Sequence, residues 1–193
     1  MQLTIFTLFP DYFSSPLQQS LLGKALASSV LQVNCVDIRE YTTDPHRMAD
    51  DRPFGGGPGM VMKVEPIERA VSEWKHAILQ ENASARITTL LLSASGEQCT
   101  QQKVRELTSA EHLGLVCGHY EGVDERVVSM GIVDGQIRVG DVVLSGGEPA
   151  ALVIVDAIAR LQPGFLGNET SLKGESHDVE GLGGYPVYTR PSE

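Results

Sequence analysis

The chain has few cysteines, and the three it has, Cys35, Cys99 and Cys117, are far apart in its 193 residues. They form no C-x-x-C pair and show no disulfide spacing, which excludes a disulfide scaffold and fits a reducing cytoplasm. Small buried apolar residues are the better reading for all three than nucleophiles. There is no G-x-x-x-x-G-K-[ST], no G-x-G-x-x-G and no G-x-S-x-G, so phosphate loops, dinucleotide fingerprints and nucleophile elbows are absent. No apolar run is long enough to span a bilayer. The apolar start "MQLTIFTLFPDYF" lacks a basic segment and is broken by Pro10 and Asp11, so it reads as a first buried strand and not a signal peptide. The five histidines, His46, His76, His112, His119 and His177, show no metal-ligand spacing, and no metal ligands are assigned. Basic residues are scarce: 15 Lys and Arg against 25 Asp and Glu give a net charge of -10. That opposes non-specific nucleic-acid binding, so any RNA contact must rest on local basic residues or on surface supplied elsewhere.

What is present reads as one α/β domain. Hydrophobic residues make up 41% and charged residues 21%, ordinary values for a globular chain. Strands are expected at 3–9, 31–38, 87–96 and 113–118, with one or two short ones within 136–147. Helices are expected at 16–29, 65–81, 98–109, 124–131 and 148–161. Pro16 suits a first helical turn, where its missing N–H costs nothing. Ile67, Ala70, Val71, Trp74 and Ile78 share one face of the clearest amphipathic helix. The 148–161 helix is apolar almost all round, so it should be buried. Strands alternating with helices predict a mostly parallel sheet flanked by helices. Three apolar strands run into small-residue or glycine turns, Ser93–Gly96, Gly118–Gly122 and Gly140–Gly147. In parallel sheets ligands gather at the carboxyl ends of strands, so the three turns suggest one pocket with three walls.

Three stretches stand out. "DDRPFGGGPGM" (50–60) concentrates glycine, proline and charge, as a shaped lid with Asp50, Asp51 and Arg52 as polar contacts would. "VCGHYEGVDERV" (116–127) leaves a buried strand through a crowd of acids, which also suit the first turn of a helix. "GDVVLSGGEPAALVIVDAIARLQPG" (140–164) has the strand–glycine–helix layout of a ligand loop, yet Glu148 stands where a phosphate loop has Lys. An acid at a helix start makes a poor phosphate site, so the ligand there should be neutral or cationic. Glu148 either caps the helix or faces the ligand.

With "LFPDYF", "PGFLGNE" and "YTRP", these motifs resemble, in order and spacing over nearly the whole chain, the bacterial tRNA (guanine-37-N1)-methyltransferases, the TrmD family. The resemblance implies a SPOUT fold with a deep C-terminal trefoil knot, which the pattern reading alone would not give. It also implies a homodimer, S-adenosylmethionine as cofactor, and tRNA with guanine at position 37 as substrate. By carry-over, the cofactor-binding residues are Leu92, Ser93, Ala94, Ser95 and Gly96; Gly118, Tyr120, Glu121 and Gly122; and Val139, Gly140, Asp141, Val142, Val143, Leu144, Ser145, Gly146, Gly147 and Pro149. Substrate contacts fall on Asp50, Asp51, Arg52, Gly55 and Gly59. The catalytic cation maps onto Arg160 and the general base onto Glu175, with Asp178 as the alternative. The base position departs from the family, which usually has Asp followed by Ser. Here "GESHD" gives Glu175-Ser176, in a segment one residue longer than the common form. Ala94 stands where many members have proline. Magnesium is possible by family, without a visible ligand cluster.

The expected division is a SPOUT catalytic domain over 1–164 and a linker over 165–193. In the family that linker leads to a C-terminal helical domain gripping the anticodon arm, which this chain does not include. From that ending the expectation is a chain that binds the cofactor but methylates tRNA poorly. Two competing readings are a SPOUT methyltransferase with another RNA target, opposed by "DDRPFGGGPGM", and a binding module that has lost its chemistry, supported only by the Asp-to-Glu departure.

Overall fold

A computed structural model describes residues 1–166, 176–177 and 186–190. Strand β1 (Gln2–Thr7) leads through two short 3-10 turns into helix α1 (Ser20–Ala27) and strand β2 (Gln32–Asp37). A two-stranded hairpin follows, β3 (Asp50–Asp51) and β4 (Val61–Met62), then α2 (Val64–Glu81), β5 (Ile87–Gln98), α3 (Gln101–Leu107) and β6 (His112–Cys117). A single turn, α4 (Arg126–Ser129), precedes β7 (Gly135–Arg138) and α5 (Glu148–Arg160).

The main sheet has the order β2-β1-β6-β5-β7, and every pairing in it is parallel. Alternation along the strands divides the core. Leu3, Ile5, Leu113, Leu115, Leu90 and Leu92 face α1, α3 and α5. Phe6, Val116 and Leu91 face α2 and α4 with Ile67, Ala70 and Val71. Parallel strands buried on both faces are expected to be this apolar. Trp74 closes the second layer edge-on against Phe6, 5.5 Å between ring centroids. It packs over Gly114, where an added Cβ would come within 3.0 Å of the indole.

Two expectations need correction, and a third, of one or two strands within 136–147, is narrowed to one. Pro16 opens a 3-10 turn (Pro16–Gln18) and not α1, because Gln19 is extended and Ser20 takes φ 54, which separates the two helices. The 136–147 stretch holds one strand that ends at Arg138, and the residues after it form a loop around a cavity. Helix α5 is not buried all round. Ile154, Val155, Ile158 and Ala159 are fully buried, but Val153 is 53% exposed and Asp156 lies beside it on the outer face. No helix of the described residues is long and apolar enough to cross a membrane.

Candidate functional site

The carboxyl ends of β5, β6 and β7 open onto one cavity of about 430 Å³. Its first wall is an interruption of β5. Leu92 and Glu97 both pair with Ile137, so the four residues between them loop out of the ladder. Leu92, Ser93, Ala94 and Ser95 border the cavity, and Gly96 does not. Gly96 instead lets the chain close against β7, since a Cβ there would meet the Ile137 nitrogen at 2.3 Å. The second wall is Gly118, Tyr120, Glu121 and Gly122, with His119 between them. Tyr120 has φ 61 and Gly122 φ 146, so this tight turn holds a bulky residue in the left-handed region. The third wall is Val139, Gly140, Val142, Val143, Leu144, Ser145, Gly146 and Gly147, while Asp141 and Pro149 lie outside the lining.

Sequence reasoning missed Gln136, Ile137 and Arg138 at the end of β7, and His119 and Glu125 beside the second turn. Arg138 donates from Nη1 to the Gly96 carbonyl and from Nε to Asp141 Oδ1 at 3.0 Å, tying the first wall to the third. The signal available was an arginine ending a short strand directly before a glycine loop.

Glu148 resolves differently from either reading of its role. It is 2% exposed, and its carboxylate oxygens are engaged away from its own helix. One carboxylate oxygen accepts from the Thr7 hydroxyl at 2.6 Å, and the other stands 2.7 Å from His119 Nε2. The glycines before it serve that arrangement. A Cβ at Gly146 would lie 2.3 Å from His119 Nε2, and one at Gly147 would lie 2.7 Å from Cys117 Cα. The Gly147 N–H donates to the Gly118 carbonyl at 2.9 Å.

The glycine-rich loop is hooked to the second wall. Its base is the β3–β4 hairpin, with Asp50 opposite Met62 and Asp51 opposite Val61. Asp51 folds back to accept from the Arg52 N–H at 2.7 Å, and Arg52 is exposed. Gly55 and Gly59 have φ 84 and 73, which glycine adopts without strain. The Glu121 N–H donates to the Met60 carbonyl at 3.0 Å, and a Cβ at Gly59 would lie 2.5 Å from Glu121 Cγ. Asp124 accepts from the Arg126 backbone and guanidinium, which holds its carboxyl below the usual range and opens α4.

Arg160 is half-buried in the last turn of α5 and borders a different cavity with Gln101, Asp156 and Leu161. The 13 residues of α5 separate it from the third wall by about 18 Å along the helix axis. Glu175 and Asp178 lie outside the described residues. His177 is exposed with φ 66. The cysteines carry no sign of activation. Burial pushes the Cys35 thiol up to about 11, and burial next to Glu148 pushes Cys117 well above its ordinary value. Among the described residues no three His, Cys, Asp or Glu converge on a possible metal position.

Comparison with known proteins fits this geometry. The family model described as tRNA (Guanine-1)-methyltransferase TrmD matches residues 1–193. A tRNA (guanine-N(1)-)-methyltransferase of Carboxydothermus hydrogenoformans is 50% identical over 99% of this chain and 72% of its own length. One of Chloroflexus aurantiacus is 48% identical over 100% of this chain and 73% of its own length. Among solved structures, a tRNA (m1G37) methyltransferase from Aquifex aeolicus superposes with a TM-score of 0.77 at 36% identity, covering 100% of this chain and 77% of that one. On the whole-chain family match and these identities, the chain belongs to the tRNA (guanine-1)-methyltransferase family, TrmD.

Proposed function

We propose that the protein transfers a methyl group from S-adenosylmethionine to N1 of guanine 37 in the anticodon loop of tRNA. The observation that carries this reading is the three-walled cavity at the strand ends, in a chain of this family. Its 430 Å³ falls within the roughly 300–1,000 Å³ of small-molecule sites. Leu92, Ile137, Val139 and Leu144 offer apolar surface, and the glycine turns offer backbone groups for an adenine. No lysine borders the cavity among the described residues, the Arg138 guanidinium is already engaged, and Glu121 and Glu125 are acids. That donor set fits a ligand without phosphate that carries positive charge. When bound, S-adenosylmethionine supplies an electrophilic methyl group on a sulfonium.

The chain's own residues supply the rest. Guanine N1 carries a proton, and Glu175, with Asp178 as the alternative, takes it as general base. Negative charge grows toward O6, where the Arg160 guanidinium stabilises it. The glycine-rich loop at Asp50, Asp51 and Arg52 holds the target nucleotide beside the second wall. Among the described residues no ligand set for magnesium comes together.

The reading includes a homodimer. Within one copy Arg160 stands about 18 Å along α5 from the cavity wall, too far to share one reacting guanine with it. A second copy closes that gap with its own Arg160. Val143, 91% exposed at the cavity mouth, and Val153 on the open face of α5 are surfaces such a copy would cover. The trefoil knot, the division into a catalytic body over 1–164 and a linker over 165–193, and a cytoplasmic location belong to the same reading. Phe165, the first residue after that boundary, is still buried in the core with Leu166 packed beside it.

The test is labelled-methyl transfer to unmodified tRNA by the parent and by Arg160→Lys, Glu175→Gln and Asp178→Asn. Loss of turnover in the Arg160 and Glu175 variants, with donor binding retained, supports the roles. Loss in Asp178→Asn alone moves the base to Asp178.

A further inference from the structure

We propose that Glu148 is a positioning residue for the methyl-donor cavity, acting through His119. The inference rests on the reading of that cavity as the S-adenosylmethionine site. A buried carboxylate is costly unless its oxygens are hydrogen-bonded, so its partners show what it is there to hold. One partner, Thr7, ends β1, and its hydroxyl oxygen also accepts from the Phe9 N–H at 2.9 Å. The other, His119, belongs to the second cavity wall and packs against the Phe9 ring, 4.8 Å between centroids. Glu148 itself follows directly on Gly146 and Gly147 of the third wall. One carboxylate thus fastens β1, the 118–122 turn and the 145–147 turn together, spanning 141 residues of chain to Thr7 and 29 to His119.

Glu148 does not border the cavity, so it touches no ligand there. What it fixes is the gap between two walls that a ligand must bridge. A ligand held between those walls senses a loosened gap as lost affinity. The chemical step senses it less, because the proposed base lies on another segment and the proposed cation stands at the far end of α5, about 18 Å along the helix. The inference therefore predicts a split between donor affinity and turnover, which a residue that only stabilises the fold would not produce.

The experiment uses the whole chain with Glu148→Gln, which keeps the shape, and Thr7→Val, which keeps the shape but removes the buried hydroxyl and its bonds to Glu148 and the Phe9 N–H. Calorimetric titration with S-adenosylmethionine gives Kd, and kinetics at saturating tRNA give the donor KM and kcat. Glu148→Gln should raise Kd and donor KM together by about tenfold, and Thr7→Val by about threefold, as expected for weakening or losing a buried hydrogen bond. In both, kcat should stay within about threefold of the parent. Should Glu148→Gln fail to fold, Thr7→Val decides alone. Parental Kd in the folded variants, or a fall in kcat with KM unchanged, overturns the inference and leaves the cavity reading standing. A parent chain that does not bind S-adenosylmethionine overturns both.

Discussion

His119 Nε2 and Glu148 Oε2 stand 2.7 Å apart, and a Cβ on Gly146 would clash with both, 2.3 Å from one and 2.5 Å from the other. Gly146→Ala should therefore push the imidazole off its carboxylate. Gly147→Ala should be worse, because its Cβ meets the Cys117 backbone at 2.7 Å, and backbone in a central strand yields less readily than a side chain. We expect losses of about 1–2 kcal/mol for Gly146→Ala and about 2–4 kcal/mol for Gly147→Ala, as for overpacking of a core. Urea unfolding of both variants checks the order, and a milder Gly147→Ala would contradict it.

Arg138 holds the β5 loop to the third wall through the Gly96 carbonyl and Asp141. Arg138→Ala should weaken S-adenosylmethionine binding about three- to tenfold by freeing that loop. Asp141→Asn should change it less than about threefold, because the Asp141 side chain is 88% exposed and such pairs contribute little. Calorimetry on the two variants separates the contributions, and equal losses would place the weight on the ion pair.

Gly59 and Gly56 both have positive φ, but only Gly59 touches a neighbour, the Glu121 side chain. Alanine at either position adds backbone strain of about 1–2 kcal/mol. Alanine at 59 also displaces Glu121 from the second wall. Gly59→Ala should raise the KM values for both methyl donor and tRNA, while Gly56→Ala should leave donor binding within about twofold of the parent. Identical profiles would show that strain alone governs this loop.

Cys35 makes a test in alkali. Burial raises its thiol from 9.0 to about 11 in the folded chain. Below pH 9 both states hold the proton, and stability is unaffected. Between pH 9 and about 11 the unfolded chain loses the proton and the folded chain keeps it, so stability falls as pH rises. The urea midpoint of the parent should drop more steeply from pH 8 to pH 10 than that of Cys35→Ala. Parallel curves would mean that the thiol ionises freely in the folded protein.

Most of the cavity was legible because its walls are made locally. Strand ends followed by Ser93–Gly96, Gly118–Gly122 and Gly140–Gly147 carry their turn chemistry in adjacent residues. The Thr7–Glu148–His119 chain was not legible, because β1, β6 and α5 meet only in the folded sheet. The one local sign was an acid heading an apolar helix. The open face of α5 was hidden for a related reason. Val153 follows the apolar pattern of its buried neighbours, and periodicity cannot tell a face covered by the same chain from one left open. Arg160 was placed by its motif, but its distance from the cavity follows only from the length of α5.

The most direct measurement is the position of the transferred methyl group. The protein is incubated with labelled S-adenosylmethionine and an unmodified tRNA bearing G36-G37, and the product nucleoside and its position are mapped. The account predicts label on N1 of guanine 37, at whatever rate this chain achieves. Label on another base or atom, or no transfer by a chain that binds the donor, would contradict it.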